Sequence, residues 1–78
     1  ARIALVVDRL PEGGSVRINL QASGVTFLGG GTQKTYTAAD IQDNGFLHVL
    51  LLMPNATTTS VCHTVEVLDA AGNRVGWL

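Results

Sequence analysis

Between the turn signal Asp43-Asn44-Gly45 and the breaker pair Pro54-Asn55 runs Phe46-Leu-His-Val-Leu-Leu-Leu-Met53, a stretch with a single polar member. Read as a strand, it places Leu47, Val49, Leu51 and Met53 on one face and Phe46, His48, Leu50 and Leu52 on the other. Both faces are apolar, and a small two-layer protein buries only one of them. The second face asks for a partner: another domain, another copy or a larger assembly. The run names neither that partner nor a reaction.

At 78 residues the chain reads as one domain, and a domain this small buries only about 60% of the surface its unfolded chain exposes. A leucine docked onto a neighbour contributes roughly 1.5 to 3 kcal/mol, a large part of a total stability of about 5 to 15 kcal/mol. Partner binding and folding are therefore expected to be coupled. The formal net charge is -1, and Arg2, Arg9, Arg17, Lys34 and Arg74 are scattered singly. That pattern leaves no footprint for nucleic acid and none for an anionic membrane surface. No apolar stretch reaches the roughly 18 to 20 residues of a membrane span, and the N-terminus lacks a signal-peptide pattern. Because it starts at Ala1, the chain reads as a mature or excised fragment of a longer protein. Cys62 stands alone, so an internal disulfide or a multi-thiol zinc site is excluded while the compartment stays open.

Strand signals recur along the whole chain. Arg2–Asp8 is stopped by the turn formers Pro11, Gly13 and Gly14. Ser15–Ala22 alternates strictly, with Val16, Ile18, Leu20 and Ala22 on one face and Arg17, Asn19 and Gln21 on a wet one. Val25–Leu28 and Gln33–Thr37 are β-prone and flank the free loop of Gly29, Gly30 and Gly31. Residues 38–42 have no useful period and read as a helical turn or a loop. Asn44-Gly45 is the strongest hairpin cue. Beyond the break at Pro54, Thr57–Ser60 is β-tolerant, and Val61–Leu68 is a strand with Val61, His63, Val65 and Val67 inward and Cys62, Thr64 and Glu66 outward. Asp69–Asn73 then turns into Arg74–Trp77. About seven short strands without sustained helical periodicity predict an all-β fold, an antiparallel immunoglobulin-like β-sandwich.

Three segments carry a family resemblance: Val25-Thr-Phe-Leu-Gly-Gly-Gly31, Asp43-Asn-Gly45 with its apolar strand, and Val65-Glu-Val-Leu-Asp-Ala-Ala-Gly-Asn73. They resemble the bacterial and bacteriophage immunoglobulin-like domains, a group spanning the repeats of invasin- and intimin-type adhesins and the accessory domains of phage capsid and tail proteins. The resemblance covers about half the chain and rests mostly on turn chemistry. It implies a non-enzymatic structural, decoration or adhesion module on a virion or bacterial cell surface. The chain departs from adhesin repeats in being shorter and in having Phe46, Leu50 and Leu52 where such modules alternate with Thr or Ser. A domain packed on neighbours fits better than a free stalk repeat.

Residues that could carry chemistry have structural roles available to them. Cys62, His63, His48 and Glu66 are the types a transition metal wants, but strand neighbours point to opposite faces, so Cys62 and His63 do not converge on one ion. A Cys/His nucleophilic pair fails for the same reason, and no oxyanion hole is evident. Asp40, Asp43 and Asn44 suit turn capping better than calcium, which wants about 6 to 8 oxygens. The three glycines lack the Lys-Ser/Thr and helix start of a phosphate loop. Asn55-Ala56-Thr57 matches a glycosylation sequon.

The expectation is thus a module without catalytic residues, metal or cofactor, docking on a protein partner, a neighbouring domain or a second copy through Phe46, His48, Leu50 and Leu52 or through an exposed strand edge. The alternatives are a carbohydrate-binding or adhesin-tip module in which Tyr36 and Trp77 contact a glycan, although core or interface packing is the default for both rings, and an accessory domain of a larger enzyme.

Overall fold

The computed structural model describes residues 2–7, 9–53 and 61–78. Among these, seven strands form two antiparallel sheets: β1 (Arg2–Val6), β2 (Ser15–Leu20), β3 (Thr26–Phe27), β4 (Gln33–Thr37), β5 (Phe46–Leu52), β6 (His63–Leu68) and β7 (Arg74–Trp77). One sheet is ordered β1-β5-β3 and the other β4-β2-β6-β7. The protein is an antiparallel β-sandwich. Pairing of β1 with β5 in one sheet, and of β2 with β6 and β6 with β7 in the other, follows the B–E and C–F–G pairings of immunoglobulin sandwiches, an architecture that unrelated domains share.

Period-two alternation builds the core from both layers. β2 turns Val16, Ile18 and Leu20 inward, and β5 turns Leu47, Val49 and Leu51 inward, where they are 1%, 0% and 1% exposed. Val25, Phe27, Tyr36 and Val65 complete the cluster. The Phe27 and Tyr36 rings meet edge to face with centroids 6.5 Å apart, a favoured aromatic geometry that ties β3 to β4 across the sandwich. At Gly14 the chain comes too close to its neighbours for a side chain, because a Cβ there would lie 2.5 Å from the Leu68 carbonyl oxygen and 2.9 Å from that of Pro11.

Several expected boundaries move. β1 ends at Val6, and Asp8, where the expected strand ended, lies outside the described residues together with the break at Pro54-Asn55, the β-tolerant Thr57–Ser60 and the sequon. β2, β3, β5 and β6 are each shorter than expected, and β4 and β7 match. Ala38–Asp40 forms one 3-10 turn. Thr37 N–H donates to Asp40 Oδ2 at 2.9 Å, so this carboxylate acts as a cap.

The Asp43-Asn44-Gly45 cue makes a tight reversal with a three-residue loop: Gly45 N–H donates to Gln42 O, Gln42 N–H donates to Phe46 O, and Gly45 takes the positive φ, 83°, that such a loop needs. Phe46 N–H donates to Asn44 Oδ1 as the chain enters β5.

Inside β6 the expected facing holds for the valines and fails at His63. Val65 is buried and Val61 and Val67 are half-buried, but His63 is exposed. Its Nδ1 lies 2.7 Å from Val61 O, which folds the ring back along the strand end, where it keeps its water. Glu66 is on the outer face as expected, yet it is buried, because side chains from β2 cover it.

Candidate docking surface

β5 is the middle strand of the three-stranded sheet, so its outward residues have neighbours on both sides. The register sets Val6 beside Phe46, Ala4 beside His48 and Arg2 beside Leu50, and on the other side Thr26 beside Leu52. Leu28 N–H donates to Leu50 O at 3.0 Å, which continues that pairing and aligns Leu28 with Leu50. By alternation all of these share the outer face.

Phe46, Leu50 and Leu52 are 37%, 50% and 57% exposed, and Val6 and Leu28 widen the same patch. Strand spacings of about 4.8 Å and a rise of about 3.3 Å per residue give a surface roughly 14 Å by 20 Å. A contiguous apolar patch of a few hundred Å² is about the size of the largest patch on an ordinary monomer, which is often functional. Of the residues so aligned, Arg2 alone is charged, and it stands at one corner.

His48 stands at the centre of the patch, half-buried, with its ring centroid 6.4 Å from that of Phe46. Its Nδ1 is buried and has no hydrogen-bond partner among the described residues. A recess of about 350 Å³ lies at this side, lined by Leu28, Gly29, Lys34, Tyr36, His48 and Leu50. The expected contact set is therefore brought together by one strand. Val6 and Leu28 were missed, although a signal was present: Leu5-Val6-Val7 and Phe27-Leu28 cannot alternate without turning one apolar side chain outward.

Tyr36 and Trp77 are not brought together, and Tyr36 takes the core place expected of it by default. Tyr36 is 8% exposed and points into the core opposite Val16. Its hydroxyl group's pKa is raised, by burial first and by the nearby Asp40 charge second. Trp77 is on the outer face of the other edge strand, opposite Glu66, with the Arg74 guanidinium 4.3 Å from its ring centroid. Two rings on opposite edges and opposite faces of a sheet make no joint stacking platform.

On the outer face of the four-stranded sheet, β2, β4 and β6 share a polar network. Arg17 and Asn19 both donate to the Glu66 carboxylate, and Gln33 Nε2 donates to Asn19 Oδ1 at 2.7 Å. These side chains shield Glu66 from water. Cys62 Sγ donates to Gln21 Oε1 at 3.5 Å and is exposed, and among the described residues no three His, Cys, Asp or Glu side chains gather as a metal site.

No family model, curated protein or solved structure matches this chain. What defines it is the sandwich itself and the apolar face that the sandwich leaves uncovered.

Proposed function

We propose that this protein is a non-enzymatic docking module, held in or displayed on a larger assembly through the outer face of β5. The observation that carries this reading is the contiguous patch of Val6, Leu28, Phe46, Leu50 and Leu52, with the half-buried His48 among them. Each leucine removed from water on docking adds roughly 1.5 to 3 kcal/mol, enough for a few such residues to hold a small domain in place. A virion or a bacterial surface protein is the setting the family resemblance suggests, and it belongs to the same proposal.

Light scattering over a concentration series, with fluorescence of an apolar dye, tests the face itself. The wild type is expected to associate or to bind the dye, and Leu50→Lys and Leu52→Lys are expected to remove both. A wild-type domain that stays monomeric and dye-free at every concentration overturns the proposal.

A further inference from the structure

The two layers have unequal strand numbers, and their alignment shows where the difference falls. Contact of Phe27 with Tyr36 sets β3 over β4. Sheet order then places β5 over β2, and the inward residues of these two strands, Leu47, Val49 and Leu51 with Val16 and Ile18, are at most 1% exposed. The same order sets β1 over β6 and leaves β7 with no described strand above it.

Burial at that side agrees. Ile3 and Leu5 are in register with Val49 and Leu47 and so point inward, yet both are only half-buried. Leu78, whose N–H donates to Val65 O and which alternation puts on the core side, is 52% exposed. Among the described residues, no strand covers the apolar interior along this flank.

The main chain of β1 specifies what closes it. Val7 N–H donates to Gly45 O while Val6 pairs with Phe46, which makes Val6 and Phe46 a non-hydrogen-bonded pair. Ile3 and Leu5 therefore direct their N–H and C=O groups to β5. Arg2, Ala4 and Val6 direct theirs away from it, toward the side where no described strand lies. Open edges of this kind are templates for strand addition.

We propose that the outward edge of β1 accepts one antiparallel extended segment from outside this sandwich, which completes the smaller sheet over β7. Its inward side chains are small or β-branched and apolar, and fill the flank between Ile3, Leu5 and Leu78. A second copy of this sandwich does not fit that place. Antiparallel pairing of two β1 strands about a two-fold axis would bring the copy's own β6, which lies under its β1, onto the position of β7. The occupant is a lone strand, such as a linker or tail, with no second layer behind it.

The test uses a capped synthetic peptide of alternating Thr and Val, and two N-methylated forms of it, one methylated at every Thr and the other at every Val. In the proposed pairing Val faces the core, and Thr, on the outer face, directs its N–H to Ala4 and its neighbours. The parent peptide is expected to bind and to slow amide hydrogen exchange at Ala4 and Val6. Methylation at Thr is expected to weaken binding about tenfold or more, the effect of losing one or two hydrogen bonds, and methylation at Val to leave it. Ala4→Pro removes an outward N–H without breaking the ladder to β5, and abolishes binding in a protein whose circular dichroism is unchanged. If that variant does not fold, the methylated peptides decide on the wild type. Absence of binding, or equal binding by the two methylated peptides, overturns the proposal. Leu50→Lys, which removes the docking face, leaves peptide binding intact, so the two readings fail separately.

Discussion

Arg17 on β2 and Glu66 on β6 are direct cross-strand partners, and the guanidinium grips the carboxylate with two arms, Nε to Oε2 at 2.7 Å and Nη2 to Oε1 at 2.9 Å. Asn19 Nδ2 adds a third donor at 2.9 Å, and Arg74 Nη1 lies 3.9 Å away. These partners, Arg17 first and Asn19 second, hold the Glu66 carboxyl down to about 2 from its ordinary 4.5. A carboxyl depressed on folding stabilises the folded state above its unfolded value and loses that contribution as pH falls toward its folded one. Denaturant midpoints for the wild type are therefore expected to fall between pH 4.5 and about 2 more steeply than those of Glu66→Gln. Equal slopes for the two proteins over that window refute the linkage.

The same fork makes an asymmetric prediction about removal. Arg17→Met leaves a shielded carboxylate without its main partner, whereas Arg17→Met with Glu66→Leu removes both charges and keeps the volume. The double variant is expected to be more stable than the single one. Arg17→Lys is expected to rescue little, because an ammonium cannot reproduce the two-armed geometry. Thermal melts of the wild type, Arg17→Met, Glu66→Leu and the double variant, read as a double-mutant cycle, give the coupling directly.

Alternation along β5 makes the sharpest distinction in the chain. Leu50→Lys and Leu52→Lys change residues that are half exposed, so the fold is expected to keep its stability within the scatter of surface substitutions, about 0.5 kcal/mol. Val49→Lys and Leu51→Lys put an ammonium into a site that is at most 1% exposed, and are expected to unfold the domain. Circular dichroism melts of all four check this. Four variants that unfold alike contradict the two-faced strand.

How far the sequence carries can be judged from particular residues. The faces of β2 and β5 were legible because strict alternation between turn signals assigns every side chain, and the burial along both strands follows it. Tyr36 was legible as a packed ring from its residue type and not from pattern, since its threonine neighbours make Gln33–Thr37 look wet on both sides although Tyr36 is buried. Glu66 was legible as outward and illegible as buried: its cover comes from Arg17, 49 residues away in the chain, and only the pairing of β2 with β6 brings the two together. The contact set on β5 could be read from one run, while Val6 and Leu28 depend on which strands flank it.

Three glycines separate the reasons a chain needs glycine. Gly29 has open space around a would-be Cβ and no positive φ, so Gly29→Ala is expected to be neutral or to stabilise by about 0.4 to 1 kcal/mol through the unfolded chain. Gly45 is needed for its φ of 83° rather than for space, since a Cβ there would lie 3.7 Å from its nearest neighbour, the Val7 carbonyl oxygen. Gly45→Ala is expected to cost about 1 to 2 kcal/mol. Gly14 is needed for space alone: its φ is ordinary, and a methyl group would meet two carbonyl oxygens that belong to the backbone and cannot rotate away. Gly14→Ala is expected to cost about 1 to 3 kcal/mol, in the range of overpacked sites. Urea titration of the three variants ranks them. If Gly14→Ala is as stable as Gly29→Ala, the loop from Pro11 does not close onto the end of β6, and the entry into β2 is looser than this packing requires.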